Sequence, residues 1–133
     1  MDCLFCKIIA KEIPCYKVYE DENVLAFLDI HPCSKGHTVV IPKKHFSNLS
    51  EMPEQDFIKM SDGLKHAVSK VQEIINPDGM NVGLNNGQSA GQAVGHLHWH
   101  IIPRWINDGG GSMHSIIRNG AGINIAEISK LFL

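Results

Sequence analysis

The sequence predicts an α+β fold in which one long helix and a short N-terminal helix accompany an antiparallel sheet of about five strands. Two observations carry this prediction. Short β-rich runs separated by brief turns occur on both sides of a single long amphipathic segment, and brief turns join strands in the antiparallel manner. No repeat, low-complexity tract or linker divides the chain, and 133 residues are too few for two ordinary domains. We therefore expect one domain over residues 1–133.

The N-terminal part of the chain predicts a short helix followed by a hairpin. Residues 5–10 have apolar side chains at the spacing of an amphipathic helical turn, which stops near Pro14. Residues 18–20 and 24–28 are rich in strand-forming side chains and flank the turn at residues 21–23. Two such runs around a short polar turn indicate a β-hairpin.

One long helix is predicted over residues 53–75. Pro53 suits the first helical position, and Asn76-Pro77 ends the segment. The apolar residues recur at three- and four-residue steps and form one stripe, which is most simply a face packed on the sheet. These residues are Phe57, Met60, Leu64, Val68, Val71 and Ile75.

Three further strands complete the predicted sheet. The third covers residues 37–41, where β-branched side chains dominate, and Pro42 ends it. The fourth covers residues 80–84. The fifth covers residues 97–102 and is closed by Pro103.

Composition and charge exclude several classes of protein. Hydrophobic residues make up 44% and charged residues 20%, which is ordinary globular usage and excludes disorder. The net charge of −2 lacks the basic excess that binding to nucleic acid or to an anionic membrane surface requires. No apolar run approaches the roughly 20 residues of a membrane span, and the N-terminus has no signal-peptide layout. We therefore expect a cytoplasmic protein with no nucleic-acid or membrane partner.

All four cysteines lie within the first 33 residues, at Cys3, Cys6, Cys15 and Cys33. Disulfides in small secreted domains staple distant segments together, and this distribution could staple nothing after residue 33. Reduced thiols are therefore expected. For the Cys-x-x-Cys pair at Cys3 and Cys6, metal binding and catalysis both stay open.

Three histidines alternate with apolar residues near the predicted fifth strand. On a strand, the period of two places His96, His98 and His100 on one face. Three interpretations are possible: a solvated polar face, a metal cluster, or nucleophilic catalysis by the central imidazole. Residues 80–105 contain no Asp or Glu, which weakens a catalytic zinc site of the usual kind. The preceding glycine-rich loop at residues 85–95 offers backbone N–H groups to a phosphate, which favours attack on phosphorus.

The motif His-φ-His-φ-His-φ-φ, where φ is apolar, is matched at every position of residues 96–102. In this motif the chain resembles the histidine triad (HIT) nucleotide-binding proteins, and within them the Hint-like branch and its bacterial relatives. The resemblance covers about residues 3–103 and implies the HIT fold. Residues 104–133 form a tail that matches nothing in the family pattern.

The resemblance implies an enzyme that releases AMP from a purine nucleotide through a covalent nucleotidyl-histidine intermediate. It acts as a phosphoramidase, or as a nucleotidyl hydrolase or transferase, on a P–N or phosphoanhydride bond. His98 is implied as the nucleophile, His100 as the contact of the leaving-group atom, and His37 as a lining residue of the phosphate site. Asn85 and Gln92 correspond to residues that bind phosphate oxygens, and Gln92 is counted with the catalytic set.

The nucleoside part of the implied site comes from the N-terminal half. Asp29 matches a carboxylate that binds the ribose hydroxyls, and an Asp that only caps a turn is the alternative. The apolar clamp around the purine corresponds to Leu4, Phe5, Ile8, Ile13 and Ile30. Ala93 also belongs to the implied nucleotide site, at a position where many Hint-branch members have a serine that donates to a leaving amine. A methyl group cannot donate, so Ala93 favours the alternative of a nucleotide-binding or interaction protein with little turnover.

The resemblance also implies a structural zinc ion, held by Cys3, Cys6, His45 and His96, and a homodimer joined through its sheets. A closed Cys₂His₂ site would pin the N-terminal segment to the sheet. No organic cofactor is expected. A third hypothesis, a zinc-dependent hydrolase with the triad itself as ligands, stays open at this point.

Overall fold

The computed structural model describes residues 2–133 and shows a five-stranded sheet with helices on both faces. The strands follow the spatial order β1-β2-β3-β5-β4, and the neighbouring pairs are antiparallel. Their bounds are β1 Lys17–Glu20, β2 Val24–Leu28, β3 Thr38–Pro42, β4 Gly79–Leu84 and β5 Trp99–Arg104. The predicted α+β class and antiparallel arrangement are confirmed.

The longest helix, α2, covers one face of the sheet. The α-helices are α1 Leu4–Ile9, α2 Glu54–Ile75 and α3 Ile125–Ser129, and short 3₁₀ turns cover Leu49–Glu51, Gln88–Ala90, Met113–Ser115 and Lys130–Phe132. The face of α2 towards the sheet buries Met60, Gly63, Ala67 and Val71. A Cβ on Gly63 would clash with the side chain of Val24, so glycine is what permits this close approach. The core on this side also contains Val40, Leu97, Trp99 and Ile101.

The other face of the sheet is covered by the short helix α1. Phe5 and Ile8 of α1 pack against Leu25, Phe27, Val39 and Ile41 of β2 and β3. Strands β2 and β3 are therefore buried on both faces, which explains why residues 24–27 and 38–42 are all buried. The histidine side chains described below lie in this α1-side layer.

Several predicted boundaries are corrected by one or two residues. Pro53 is the N-cap of α2 rather than its first helical residue, with an extended ψ of 153°. Phe57, predicted in the apolar stripe, is 42% exposed, because Gly63 and Ala67 take part of the buried face instead. The helix does end at the predicted point, where Asn76 adopts the left-handed conformation.

The largest correction concerns β5, which starts at Trp99 and runs through Pro103. Pro103 is tolerated inside the strand because its side towards β3 lies beyond the last β3–β5 pair, Thr38 with Ile101. Its carbonyl accepts a hydrogen bond from Ser34 Oγ at 2.7 Å, so a loop side chain replaces a strand there. At the other end, Leu97 donates its N–H to the carbonyl of Phe46 at 2.7 Å, outside any strand ladder.

The tail beyond Trp105 differs from the rest of the chain, because every residue from 106 to 133 is exposed. Its exposed apolar side chains are Ile106, Met113, Ile116, Ile117, Ile123, Ile125, Ile128, Leu131, Phe132 and Leu133. Between residues 2 and 133, none of the helices is long and apolar enough to cross a membrane.

Candidate functional site

The alternation of residues 96–101 divides their side chains between the two layers of the protein. Leu97, Trp99 and Ile101 enter the core under α2, as predicted for the apolar half of the pattern. The three histidines lie on the α1 side, although only His100 belongs to β5 as formed. The ring of Phe5 packs edge-on against His96 and His98, with centroid distances of 5.8 and 5.2 Å. One α1 residue thus packs against two of the three imidazoles.

A single hydrogen bond fixes which nitrogen of His98 can react. His98 Nδ1 lies 2.8 Å from the backbone carbonyl oxygen of His96. A carbonyl only accepts, so Nδ1 carries the proton and the lone pair of the neutral ring is at Nε2. The His98 side chain is buried, and its ring centroid lies 5.1 Å from that of His100.

His37 and His100 form a chain of hydrogen bonds with a defined direction. The backbone N–H of Cys33 donates to His37 Nδ1 at 3.0 Å, which places the proton of a neutral His37 on Nε2. His37 Nε2 then donates to His100 Nδ1 at 2.9 Å. The remaining proton of a neutral His100 is consequently on its Nε2.

The rings of His37 and His100 are both neutral at physiological pH. Burial lowers the pKa of His37 below its usual range, although the nearby Asp29 carboxylate opposes the shift. Burial, followed by the neighbouring charges of His98 and His37, lowers the pKa of His100 to about 4. Protonating either ring at Nδ1 would also remove the lone pair that accepts one of these two hydrogen bonds.

The Asp29 carboxylate lies beside these two histidines. Its Oδ1 accepts the N–H of His31 at 2.8 Å, which is the turn-capping interaction considered above. Its Oδ2 lies 3.6 Å from His37 Nε2. The Asp29 carboxylate therefore caps a turn while one oxygen faces the histidine chain. Its predicted contact with ribose stays a prediction.

Cys3, Cys6, His45 and His96 converge, with their ligand atoms within 4.8 Å of one another. Cys3 Sγ lies 3.4 Å and Cys6 Sγ 3.6 Å from His96 Nδ1, and the two Nδ1 atoms of His45 and His96 are 3.1 Å apart. Around a tetrahedral zinc ion, ligand atoms of these types would be about 3.3 to 3.8 Å from each other. The spacing is therefore close to that of a Cys₂His₂ zinc site, and this group could hold a metal ion.

The chemistry of His96 also fits a metal ligand. His96 Nε2 donates to the carbonyl of Pro42 at 2.8 Å, so the lone pair of the neutral ring is on Nδ1, towards the two sulfurs. Burial is the main cause that lowers the pKa of His96 and keeps the ring neutral. Burial and the adjacent Cys3 thiol raise the pKa of Cys6, so a cation between the sulfurs would be needed to hold a thiolate at neutral pH.

A second group is formed by Asp29, His37 and His100, whose ligand atoms also lie within 4.8 Å of one another. Its proton positions do not suit a metal ion. Because His37 Nδ1 accepts the N–H of Cys33, its Nε2 carries a proton and offers no lone pair to a cation. These are the only two candidate groups among residues 2–133, and neither combines all three histidines of the triad. The structure thus does not support the triad as a shared set of metal ligands.

A cavity of about 340 Å³ brings His37 and His100 together with Asn85. Two residues predicted to line the phosphate site, His37 and Asn85, therefore border one space with His100, the predicted contact of the leaving-group atom. Its other walls come from β4, from β5 and from the tail, and their participation could not be read from local pattern. No sequence signal indicated that residues 111–116 of the tail would reach this cavity.

The predicted purine clamp divides into fixed and free side chains. Phe5 and Ile8 are core residues with 7% and 9% exposure, and Ile13 packs against the same cluster. Leu4 and Ile30 are 48% and 73% exposed. Only Leu4 and Ile30 therefore have much surface left to bury against a ligand.

Gln92 braces its own loop in this structure. Its amide donates to the carbonyls of Ser47 and Val94 at 2.6 and 3.0 Å, and its oxygen accepts the N–H of Gly87 at 2.8 Å. Both amide protons are thus used, and the predicted phosphate contact would require one of these bonds to be exchanged. Ala93 is exposed next to this brace.

Comparison with known proteins gives consistent matches. The family model described as the HIT domain matches residues 10–106. An uncharacterized HIT-like protein of Methanocaldococcus jannaschii is 52% identical over 107 residues, which cover 80% of this chain and 82% of that protein. The adenosine 5′-monophosphoramidase hnt1 of Schizosaccharomyces pombe is 47% identical over 104 residues, 78% of this chain and 75% of that protein. The adenylylsulfatase HINT3 of Arabidopsis thaliana is 43% identical over 103 residues, 77% of this chain and 52% of that protein.

Solved structures show the same similarity in three dimensions. A crystal structure of a HIT family member from Bacillus subtilis has a TM-score of 0.87 and 40% identity, covering 99% of this chain and 95% of that one. The zinc-bound histidine triad protein of Mycobacterium smegmatis has a TM-score of 0.76 and 38% identity, covering 81% of this chain and 78% of that one.

The lowered pKa of His100 predicts that the free energy of unfolding falls as the pH drops from about 6.5 towards about 4. In this window the unfolded ring binds a proton that the folded ring does not, so acid favours the unfolded chain. Between pH 7 and pH 5 the expected loss is at most about 2 kcal/mol. Urea titrations at the two pH values measure it. His100→Gln should reduce the loss and His31→Gln, an exposed control, should not; equal losses in all three proteins would contradict the prediction.

Proposed function

Because the chain belongs to the HIT domain family, we propose that it releases AMP from a purine nucleotide through a covalent nucleotidyl-His98 intermediate. The bond broken is a P–N bond or a phosphoanhydride, and the acceptor of the nucleotidyl group is water or a second nucleophile. Two relatives are named for reactions of adenylyl compounds, a monophosphoramidase and an adenylylsulfatase.

The observation that carries this proposal is the hydrogen bond from His98 Nδ1 to the carbonyl of His96 at 2.8 Å. It holds the ring in the tautomer whose Nε2 lone pair is available to phosphorus. The same bond also assists the attack. As Nε2 bonds to phosphorus, positive charge develops on the imidazole, and the carbonyl oxygen at Nδ1–H stabilises that charge. A histidine on a solvated face would need no such fixed partner.

The first step follows from these proton positions. His98 Nε2 attacks the α-phosphorus, a P–N bond to histidine forms, and the bond to the leaving group breaks. The leaving atom accepts a hydrogen bond from His100 Nε2–H, and an amine leaving group takes its proton from solvent, because a neutral imidazole does not give up its N–H to become an anion. His37 Nε2–H, donating to His100 Nδ1, holds that ring in orientation.

The second step returns the enzyme to its starting state. Water attacks the phosphorus of the nucleotidyl-histidine, the P–N bond to His98 breaks, and AMP leaves. The attacking water gives its proton to solvent, and His100 keeps its Nε2 proton throughout. His98 returns to the neutral tautomer with its proton on Nδ1, so one turnover leaves the histidine chain unchanged.

The remaining residues would bind the nucleotide. One oxygen of Asp29 is free of the turn cap and faces the site, which suits an acceptor of ribose hydroxyls. Leu4 and Ile30 would lose exposed surface against the purine, while Phe5 fixes the floor through its contact with His98. Asn85 and, after exchange of one loop bond, Gln92 would supply neutral donors to phosphate oxygens.

A second function is favoured by one specific residue. Ala93 places a methyl group where a hydroxyl could assist a leaving amine, so only the Nε2–H of His100 is left to donate a hydrogen bond to that amine. If His100 does not reach the leaving atom, the site would bind a nucleotide with little turnover. The two functions are separated by whether AMP appears.

We also propose that Cys3, Cys6, His45 and His96 hold a structural zinc ion. The tetrahedral spacing of their ligand atoms and the Nδ1 lone pair of His96 support zinc, and one structural relative is described as zinc-bound. Zinc would supply a covalent tie between α1 and the sheet. The triad is then divided, with His96 on the metal and His98 on the substrate.

A homodimer joined through β4 is the quaternary structure we propose. Strand β4 is an edge of the sheet, its Val82 is 39% exposed, and the neighbouring tail has no buried residue. Pairing two edges would continue the sheet and cover apolar side chains.

Sedimentation velocity should give twice the chain mass of 14.7 kDa, and a monomer at micromolar concentration would contradict the proposal.

Replacement of the nucleophile should abolish turnover but not binding. His98→Ala is expected to lower AMP release from adenosine 5′-phosphoramidate by at least about 10³-fold. AMP affinity should change only a few-fold, because most of the nucleotide contacts remain. Intact mass measured within seconds of mixing should show an AMP adduct in the wild type and none in the variant.

His114→Ala, which changes an exposed histidine of the tail, is the matched control and should keep the adduct. Equal rates in the wild type and in His98→Ala would refute the nucleophile. A wild type that binds AMP but forms neither adduct nor product would support the binding protein instead.

Loss of one sulfur ligand should lower the zinc content of the purified protein. The wild type is expected to carry about one zinc per chain. Cys3→Ser should bind zinc at least about 10-fold more weakly, and elemental analysis after dialysis against a weak chelator measures the remainder. Cys15→Ser is the control, because Cys15 is outside the group. Full zinc retention in Cys3→Ser would refute the ligand set.

A further inference from the structure

The guanidinium of Arg104 ties the tail to the sheet. Its Nε and Nη2 donate to the two carboxylate oxygens of Asp108, at 2.7 and 2.9 Å. Its Nη1 donates to Asn81 Oδ1 at 2.6 Å and to the carbonyl of Gly111. One side chain thus joins the end of β5, strand β4 and the tail through a bidentate ion pair and two further bonds.

The turn at residues 105–110 is built around this ion pair. Asp108 also accepts the N–H groups of Trp105 and Gly110, at 3.0 and 2.9 Å. A Cβ on Gly110 would clash with the guanidinium of Arg104, so the backbone can approach it only as glycine. The Arg104 hydrogen bonds are the main cause that lowers the pKa of Asp108, which keeps the carboxylate charged.

This turn determines where the next segment goes, because no residue after Trp105 is buried. With no core contact to direct it, residues 111–116 are placed by the hydrogen bonds at their start. They line the cavity of about 340 Å³ that His37, His100 and Asn85 also line. The tail therefore borders the space beside His100, as a wall that is itself open to solvent.

The cavity is lined by aliphatic and neutral polar side chains. Val82, Leu84 and Ile102 from the sheet and Met113 and Ile116 from the tail supply its aliphatic surface. Its polar side chains are neutral amides, hydroxyls, a thiol and the two histidines, and none of its lining residues is Asp, Glu, Lys or Arg. Such walls suit an uncharged apolar group and offer no cation to a second phosphate.

We propose that Arg104 and Asp108 are positioning residues, which hold Met113 and Ile116 as the outer wall of a pocket for an apolar leaving group. The proposal rests on the proposed function, since it concerns the group that His98 displaces. The substrate class it names is an AMP phosphoramidate of an apolar amine. On displacement the P–N bond to that amine breaks, and the amine departs with a proton from solvent while His100 Nε2–H donates a hydrogen bond to it.

The test compares two substrates that differ only in the leaving amine. Adenosine 5′-phosphoramidate releases ammonia and leaves the pocket empty, whereas the benzylamine phosphoramidate of AMP fills it. The wild type should have the higher kcat/KM for the benzyl compound. Arg104→Gln, Asp108→Asn and the pocket-filling Met113→Trp should each reduce the benzyl-to-ammonia ratio of kcat/KM by about tenfold, as expected for a disturbed apolar pocket.

Two matched controls come from the same tail. Arg118→Gln removes the other arginine of the chain, and Ile117→Ala removes an exposed aliphatic residue beside the wall; both lie outside the cavity. Neither should change the ratio. A fall that is equal for both substrates, or an unchanged ratio in Arg104→Gln and Met113→Trp, would overturn the proposal.

Binding separates failure of this proposal from failure of the proposed function. The affinities of the same two compounds are measured in a His98→Ala background, where no turnover is needed. Loss of the benzyl preference on adding Arg104→Gln supports the pocket even if the wild type releases no AMP. A preference that is absent in His98→Ala, or unaffected by Arg104→Gln, overturns it.

Discussion

The constraint on which the site depends is the cost of burying imidazole rings. A buried ring nitrogen without a partner loses a hydrogen bond to water, and this typically costs about 1 to 3 kcal/mol. Three of the histidines on this face, His37, His96 and His98, are buried, and no buried side-chain nitrogen or oxygen among residues 2–133 lacks a partner. Satisfying each ring requires a defined tautomer. The tautomers then decide which nitrogen attacks, which donates a hydrogen bond and which faces a metal ion.

One proline carbonyl satisfies an imidazole, and a second proline carbonyl satisfies a loop hydroxyl near the site. A proline has no N–H to give to a strand ladder. Where the ladder stops at a proline, the carbonyl of that residue accepts a hydrogen bond from a side chain instead. The carbonyl of Pro42 accepts the Nε2–H of His96, and that of Pro103 accepts the hydroxyl of Ser34. The interruption of β-pairing between β3 and β5 at both ends is thus used by side chains near the site. The β3–β5 ladder has three residue pairs, and one of the two prolines lies beyond each of its ends.

The site and the tail are joined by hydrogen bonds rather than by a common core. Residues 106–133 contribute no buried side chain, yet the Arg104–Asp108 pair directs residues 111–116 to the cavity beside His100. A bidentate pair of this kind fixes orientation as well as distance. A rigid sheet therefore carries the reacting groups, while a hydrogen-bonded turn positions the surface that the leaving group would meet. In such an arrangement, changes in the tail can alter selectivity without disturbing the histidines.

Sequence alone determined the features that depend on neighbours along the chain. Alternation with a period of two placed His96, His98 and His100 opposite Leu97, Trp99 and Ile101, and the apolar spacing located the long helix. Only the tertiary structure decided two of the ring partners, because they come from distant segments: Pro42 for His96 and His100 for His37. The other partners, Cys33 for His37 and the His96 carbonyl for His98, lie within four residues, but no sequence pattern indicated them. Strand ends were misplaced by up to two residues, since Pro103 is allowed in β5 only because β3 has already ended on that side. The wall formed by residues 111–116 had no local signal at all, because one guanidinium and one carboxylate, rather than a periodic pattern, hold that segment in place.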